Sequence, residues 1–330
     1  MSVGVLALVR LTPERAAALT AAGYAVCEAA KYASRMDALR DSGDVRAVLT
    51  NGRGGLSGEE MAMLPELEIV CATGAGYEAV DLDTARRRGI AVTNSPDTNA
   101  TAVADSAMML LMAATRHLLQ ADRFVRAGGW QDQWRIDTPT ISGRHLGILG
   151  LGTIGSKIAH RAARGFDMEI GYHNRRPVAG SSYRYFDSLV ELATWADFLI
   201  AAAPGGAGTR HLVNADVLTA LGPKGYLVNV GRGTVVDTAA LIDALRSKRI
   251  AGAGLDVLEG EPAVPPMLPA LLQFDNVVVT PHCAGRAPEA RAAATASILA
   301  NLNAYFSGKP LLSPVAIGQR TKITQQNDLA

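Results

Sequence analysis

The chain has 330 residues, of which 48% are hydrophobic and 19% are charged. This length exceeds the usual size of one hydrophobic core and favours two domains, and the composition is typical of a folded protein rather than a disordered one. With 32 basic and 31 acidic side chains, the net charge of +1 excludes the broad positive surface that nucleic-acid binding requires.

The cysteines and the N-terminal apolar run indicate a compartment. Cys27, Cys71 and Cys283 are scattered and odd in number, which argues against a disulfide framework. The run from Val3 to Val9 is too short to cross a bilayer and lacks the basic flank of a secretory signal. We therefore expect a cytoplasmic protein with no membrane partner. The polar tail from Thr321 to Ala330 predicts a poorly packed end.

Short apolar runs alternate with helical patterns along the chain, which indicates parallel α/β structure. After the first strand a helix is predicted at Pro13–Ala22. The strands of the first series are predicted at Val3–Leu8, Val45–Leu49, Ile69–Cys71 and Ile90–Thr93. The strands of a second series are predicted at His145–Leu149, Glu169–His173, Phe198–Ala202, Tyr226–Val230, Gly252–Val257 and Val277–Thr280. The second series suffices for a full doubly wound sheet.

Two longer helical patterns flank the second series. Within Asn99–Gln120, apolar residues recur at helical spacing and predict one helix of about six turns, which links the domains. Ala290–Phe306 predicts an alanine-rich helix that ends at Gly308 and Pro310 and returns the chain to the first domain.

A glycine motif follows the first strand of the second series and precedes a helical pattern. It contains Gly150, Gly152, Thr153, Ile154 and Gly155. In a dinucleotide fingerprint the first glycine permits a tight turn, the second lets a pyrophosphate approach the backbone, and the third lets helix and strand pack closely. A purely structural turn is the alternative in a glycine-rich chain, but the strand before and the helix after favour a nucleotide site.

The next predicted strand ends at Asn174, Arg175 and Arg176, where the fingerprint expects an acidic residue for the adenosine ribose. An acidic side chain would repel a 2′-phosphate, whereas guanidiniums bind one through charge-assisted hydrogen bonds. We therefore expect NADPH to be preferred and leave NADH open as a second cofactor. A solvated basic turn is the alternative.

Three more segments follow predicted strands, at the positions where ligands of an open α/β sheet bind. They contain Arg232, Glu261 and His282, the last of these between Pro281 and Cys283. Taken singly, each residue also has an ordinary interpretation: Arg232 as a surface cation, Glu261 as a loop carboxylate and His282 as a histidine near a turn. Cys283 predicts a small buried filler rather than a nucleophile.

Together these segments resemble the D-isomer-specific 2-hydroxyacid dehydrogenase family, especially its glyoxylate/hydroxypyruvate reductase branch. The resemblance covers nearly the whole chain and includes Gly74–Glu78, Asp81 and Val103–Asp105. It implies two Rossmann-like, doubly wound parallel-sheet domains, the cofactor domain inserted into the substrate domain. We expect a discontinuous substrate domain of residues 1–98 and 287–330 and an NAD(P)-binding Rossmann domain of residues 99–286.

The resemblance implies a role for each of the three catalytic residues. Arg232 binds the substrate carboxylate and polarises the keto group, a bidentate task that suits a guanidinium. His282 protonates the forming alkoxide, and Glu261 pairs with it, because a neighbouring carboxylate favours a protonated imidazole. The expected reaction is hydride transfer from a nicotinamide to a small 2-keto acid, which gives the D-2-hydroxy acid.

The resemblance also implies contacts to substrate and cofactor, and no metal. The backbone around Ala75 and Gly76 is expected to hold the substrate carboxylate, while Arg53 meets either a distal polar group or solvent. Bulkier residues are usual in the family at Gly205, Gly206 and Gly208. Beyond the fingerprint, the expected cofactor residues are Asn174, Arg175, Arg176, Pro204, Thr209, Val230, Gly231, Arg232, Asp256, His282 and Gly285.

Several alternatives stay open at this point. Hydroxyphenylpyruvate and 2-ketogluconate fit the same features as glyoxylate and hydroxypyruvate, and formate or phosphite dehydrogenases use the same scaffold. A non-enzymatic nucleotide-sensing module is the alternative from another class, although the presence of all three catalytic residues argues against it. The resemblance implies a homodimer, with Trp130 and Trp134 either in a subunit contact or in ordinary packing.

Overall fold

The computed structural model describes residues 2–315 and consists of two compact α/β units. Unit 1 comprises the chain up to Thr98 together with the chain from Arg291, and unit 2 comprises Asn99–Ala290. The sequence prediction placed the two boundaries between the domains after residues 98 and 286. The polar tail from Thr321 lies outside the described residues.

Unit 1 contains a parallel sheet with the strand order β2-β1-β3-β4-β5. Its strands are β1 Gly4–Ala7, β2 Ala25–Glu28, β3 Ala47–Thr50, β4 Ile69–Ala72 and β5 Ala91–Thr93. The helices between them are α1 Pro13–Ala21, α2 Arg35–Arg40, α3 Gly58–Ala62 and α4 Leu82–Arg88. The sequence prediction missed β2, because this edge strand is not fully buried and lacks the continuous apolar run of an inner strand.

Unit 2 contains a seven-stranded parallel sheet with the order β12-β11-β10-β9-β6-β7-β8. The strands are β6 His145–Leu149, β7 Glu169–His173, β8 Arg184–Tyr185, β9 Phe198–Ala201, β10 Tyr226–Asn229, β11 Gly252–Leu255 and β12 Val277–Val279. The order reverses between β6 and β9, which is where doubly wound sheets bind dinucleotides. The predicted fold class is confirmed, and the missed β8 is a two-residue edge strand.

The helices of unit 2 correct one prediction. They are α5 Ala100–Thr115, α6 Leu118–Arg126, α7 Thr153–Gly165, α8 Leu189–Trp195, α9 Ala215–Leu221, α10 Thr238–Arg246 and α11 Leu268–Leu271, and α12 Pro288–Phe306 continues into unit 1. The single helix predicted over Asn99–Gln120 is wrong, because His117 takes a left-handed conformation with φ 51° between α5 and α6. Apolar periodicity alone does not reveal such a break.

Helix α5 fixes the middle of the unit 2 sheet. Its residues Ala104, Ala107, Leu110 and Leu111 are fully buried. A Cβ added to Gly254 of β11 would lie 3.0 Å from the Cβ of Leu110, so the helix backbone rests directly on the strand. No helix among residues 2–315 is long and apolar enough to span a membrane.

Candidate active site

The glycine motif forms a close-packed turn between β6 and α7. Gly150 has φ 99°, and a Cβ there would lie 2.8 Å from the backbone nitrogen of Ala203, so the turn requires glycine. A Cβ on Gly155 would lie 2.1 Å from the carbonyl oxygen of Gly150. The helix therefore packs against the turn at a distance that only a glycine permits.

The N-terminus of α7 is suited to an anion. Gly152 precedes the helix, a Cβ there would meet no atom within 4 Å, and no side chain caps this end. Thr153 and Ile154 form the first turn, whose N–H groups carry the positive end of the helix dipole. The open backbone and the uncapped end together fit the pyrophosphate of a dinucleotide.

Asn174 ties the glycine turn to the end of β7. Its Oδ1 accepts a hydrogen bond of 2.7 Å from the N–H of Leu151, and Gly150 N–H donates to the carbonyl of His173 at 3.0 Å. The sequence analysis assigned Asn174 only to the cofactor and missed this contact. Arg175 and Arg176 follow it, and both are exposed. The two guanidiniums are therefore carried by a loop that the glycine turn anchors.

Glu261 and His282 form a direct pair. The distance between Glu261 Oε2 and His282 Nδ1 is 2.5 Å, and Glu261 Oε1 accepts from the N–H of Leu258 at 2.8 Å. A carboxylate at Nδ1 fixes the ring orientation and makes Nε2 the nitrogen that can exchange a proton with another molecule. Two of the three predicted catalytic residues are thus in contact.

Asp256 organises the loop that carries His282. Its buried carboxylate accepts from Thr280 Oγ1 at 2.6 Å and from the N–H groups of Cys283 and Ala284 at 2.9 and 3.0 Å. The N–H of His282 donates to the carbonyl of Asp256 at 2.8 Å. The sequence analysis gave Asp256 only a cofactor contact, so this positioning role was missed.

A buried asparagine shapes the segment that carries Arg232. Asn229 Nδ2 donates to the carbonyl of Arg232 at 3.0 Å, and its Oδ1 accepts from Gly231 N–H at 3.1 Å. A Cβ on Gly205 would lie 3.0 Å from Arg232 Cγ. The small residue at this departure from the family pattern therefore leaves room for the stem of the arginine.

The other predicted cofactor residues surround these segments. Thr209 Oγ1 donates to the carbonyl of Pro204 at 2.7 Å, a bond that the sequence analysis left unassigned. Val230 is buried directly after β10. A Cβ on Gly285 would lie 2.6 Å from Asn99 Nδ2, so the loop after His282 lies against the start of α5.

The predicted substrate residues of unit 1 lie on two interlocked loops. A Cβ on Gly52 would lie 2.7 Å from the carbonyl carbon of Gly76, and Asn94 Nδ2 donates to the carbonyl of Ala75 at 2.8 Å. Asn51 Oδ1 accepts the N–H of Arg53 at 3.0 Å. Side-chain and backbone contacts therefore fix the positions of the two loops within this unit.

Neither the cysteines nor the metal-binding residue types indicate further chemistry in the described part of the chain. Burial raises the pKa of Cys71 to about 12, which keeps this thiol protonated at neutral pH. Among residues 2–315, no group of three His, Cys, Asp or Glu side chains is arranged to hold a metal ion.

Known proteins are similar to this chain over most of its length. Residues 108–284 match the family described as "D-isomer specific 2-hydroxyacid dehydrogenase, NAD binding domain". A hydroxyphenylpyruvate reductase from Plectranthus scutellarioides is 43% identical over 82% of this chain and 85% of its own length. A 2-ketogluconate reductase from Gluconobacter oxydans is 42% identical over 82% and 86%. The structure of an NADPH-dependent glyoxylate/hydroxypyruvate reductase from Sinorhizobium meliloti, in complex with NADP and malonate, has a TM-score of 0.84 and 40% identity, covering 96% of this chain and 98% of that one.

Proposed function

We propose that this chain, which belongs to the D-isomer specific 2-hydroxyacid dehydrogenase family, reduces a small 2-keto acid of the glyoxylate or hydroxypyruvate type with NADPH. The observation that carries the proposal is the contact between Glu261 and His282 at the carboxyl edge of the doubly wound sheet, the edge that also carries Arg232. An acid held by a carboxylate beside a guanidinium is what reduction of a keto acid requires.

The protein residues bind the substrate and transfer its proton. The Arg232 guanidinium pairs with the substrate carboxylate and polarises the keto oxygen. Protonated His282 donates its Nε2 proton to that oxygen, and Glu261 stabilises the imidazolium before the transfer. The nicotinamide, when bound, supplies the hydride that goes to the keto carbon. In the reverse direction, neutral His282 accepts the hydroxyl proton.

The preference for NADPH rests on the exposed pair Arg175 and Arg176. Two guanidiniums beyond the end of β7 can bind a 2′-phosphate with charge-assisted hydrogen bonds, while Gly152 and the first turn of α7 would hold the pyrophosphate. The Sinorhizobium meliloti relative, 40% identical in sequence, is an NADPH-dependent enzyme whose structure holds NADP. This likeness supports the same preference here.

The substrate is tested with a panel of glyoxylate, hydroxypyruvate, hydroxyphenylpyruvate and 2-ketogluconate, following the oxidation of NADPH and, separately, of NADH. We expect turnover with NADPH, with the highest kcat/KM for glyoxylate or hydroxypyruvate. A clear preference for one of the two larger acids would contradict the substrate assignment alone. No turnover on the whole panel, with NADPH still bound, would contradict the reductase and favour a nucleotide-sensing module.

We also propose that the chain is a homodimer whose contact includes the region from α5 to residue 136. Its exposed apolar side chains are Met109, Met112, Leu118, Leu119, Val125, Trp130, Trp134 and Ile136. Helix α6 buries none of its residues, and a concentration of exposed apolar side chains in one segment is typical of a subunit contact. Light scattering behind size exclusion should give twice the chain mass, and Trp130→Ser, which replaces a side chain that is 80% exposed, should weaken the dimer.

We further propose that the protein works in a reducing compartment such as the cytoplasm, without a membrane or nucleic-acid partner. Its cysteines Cys27, Cys71 and Cys283 are free thiols. Their spacing suits no disulfide framework, and the near-neutral charge offers no polyanion surface. Fractionation of the source cells is the test, and recovery in the membrane pellet would contradict this assignment.

A further inference from the structure

Another histidine and carboxylate pair lies beside the catalytic pair in unit 2. His211 Nε2 and Glu259 Oε1 are 2.7 Å apart. The other oxygen, Glu259 Oε2, accepts from Thr238 N–H at 3.2 Å and from Thr238 Oγ1 at 2.9 Å. Glu259 therefore joins three segments: the loop that carries His211, the N-terminus of α10, and its own loop, which continues to Glu261.

The backbone of His211 lies in the left-handed region, which few non-glycine residues adopt and which His117 and His282 of this chain share. Its φ is 52°, in the left-handed region, and its N–H donates to the carbonyl of Thr234 at 2.8 Å. The charged groups that face the pair are Asp237, 3.8 Å from His211 Nδ1, and Arg210, 3.6 Å from Glu259 Oε1. The left-handed backbone costs energy, and the side chain that it directs makes a short contact with Glu259. We interpret the backbone conformation as the one that aims His211 at Glu259.

The pair is connected to the catalytic residues through the backbone of one loop. A Cβ on Gly233 would lie 2.0 Å from the carbonyl carbon of Leu258, so the segment after Arg232 rests on this loop. The N–H of Leu258 donates to Glu261 Oε1, and Glu261 Oε2 contacts His282. A displacement of Leu258 or of its neighbour Glu259 would therefore move the carboxylate that faces the catalytic imidazole.

Glu259 is ionised when it makes these contacts. Burial raises the pKa of its carboxyl, but the hydrogen bonds from His211 and Thr238 outweigh burial and leave the pKa below its ordinary value. The contact with His211 is therefore a charge-assisted hydrogen bond, which restricts the loop more than a neutral one would.

We infer that His211 and Glu259 are positioning residues, which hold the loop from Leu258 to Glu261 so that Glu261 faces Nδ1 of His282. Neither residue needs to touch substrate or cofactor for this role. The inference rests on the proposed function only where it concerns turnover, because the placement of His282 against Glu261 can be observed in the free protein.

Three histidine variants test the inference. His211→Asn tolerates the left-handed backbone but is too short to reach Glu259, whereas His211→Gln places an amide N–H near the position of Nε2. His145→Asn is the matched control, because His145 also faces two carboxylates, at 3.5 and 4.0 Å, and its side chain is 39% exposed against 32% for His211. His145 starts β6, at the opposite edge of the sheet from the catalytic loops.

The main readout is the low-field proton resonance of an imidazole N–H that is hydrogen bonded to a carboxylate, recorded on the free protein with labelled histidine. The chain has six histidines, so the His282 signal can be assigned by its loss in a His282 variant. We expect His211→Asn to shift or broaden this signal and to lower kcat about tenfold with little change in KM. His211→Gln should recover most of both, and His145→Asn should change neither.

An unchanged His282 signal in a folded His211→Asn protein would overturn the inference. If that variant does not fold, Glu259→Gln replaces it, since the amide keeps the shape but loses the carboxylate, and an unchanged signal there would overturn the inference equally. A shifted signal in a protein that reduces no keto acid would leave the positioning role standing and would count against the proposed function alone.

Discussion

The carboxyl edges of the two sheets are built in different ways. In unit 2 the loops after β10 and β12 are held by buried polar side chains, since Asn229 and Asp256 are only 1% and 2% exposed and together accept or donate five side-chain hydrogen bonds. In unit 1 the loops after β3 and β4 are held by close backbone contact, which Gly52 and Gly55 permit. Glycines pack closely at both edges, as Gly150 and Gly233 do in unit 2, but the buried amide of Asn229 and the buried carboxylate of Asp256 are features of the unit 2 edge.

This difference predicts different effects of substitution at the two edges. At the unit 2 edge, replacing Glu261 or His282 removes a proton-transfer group while the surrounding hydrogen bonds of Asn229 and Asp256 keep the loops in place. At the unit 1 edge, adding one methyl group to Gly55 changes the backbone itself. Substitution of Glu261 or His282 should therefore alter rates, and substitution of Gly55 should alter stability.

The largest effect is expected from His282→Ala at the unit 2 edge. We expect kcat for keto-acid reduction to fall about a thousandfold, because the proton donor is lost, while NADPH binding is nearly unchanged. Single-turnover kinetics and a fluorescence titration of NADPH measure the two quantities. Cys283→Ala is the neighbouring control and should keep the wild-type rate, since hydride transfer needs no thiol. Full activity of His282→Ala would refute the mechanism.

The second effect is a loss of rate in Glu261→Gln. The amide cannot stabilise the imidazolium from which His282 donates its proton, so kcat for reduction should fall by about tenfold to a hundredfold. Oxidation of the hydroxy acid starts from the neutral imidazole, so its kcat should fall less, which provides an internal control. Equal losses of kcat in both directions would show that Glu261 does not act through His282.

The fold was predictable where buried strands lie between polar turns. Strands β6 and β7 begin and end at the predicted residues, because turn residues stand on both sides of each strand. Strands β2 and β8 were missed because they lie at sheet edges, where burial demands less of the sequence. The break at His117 was missed because histidine is neither of the residues, glycine and proline, that usually mark the end of a helix.

The site was predictable only where the type of residue reveals the chemistry. Arg232, Glu261 and His282 were candidates because each follows a predicted strand and carries a group that can ionise, and their catalytic roles came from the resemblance to the 2-hydroxyacid dehydrogenase family. The contacts that position them join residues far apart in sequence: Asp256 and Cys283 are 27 positions apart, and His211 and Glu259 are 48 positions apart. No local pattern indicates such pairs, because the topology of the sheet brings them together.

The third effect tests the unit 1 edge through Gly55→Ala. Gly55 has φ 53°, and a Cβ there would lie 1.9 Å from the carbonyl oxygen of Ala79. Strain and steric overlap should lower the free energy of unfolding by about 2 to 3 kcal/mol, measured by urea denaturation. Gly74→Ala is the control, because a Cβ at Gly74 meets no atom within 4 Å. Equal stability of the two variants would contradict the close packing at Gly55.

The smallest effect is expected from Arg175→Ala and Arg176→Ala, which change cofactor choice rather than chemistry. Each should raise the KM for NADPH about tenfold and leave the KM for NADH almost unchanged, because only NADPH carries the 2′-phosphate. Lys224→Ala removes an exposed positive charge just before β10, at the opposite edge, and should change neither value. An equal rise of KM for both cofactors would mean that these arginines stabilise the loop anchored by Asn174. Side chains of unit 2 would then set the shape of the cofactor loop as well as its charge.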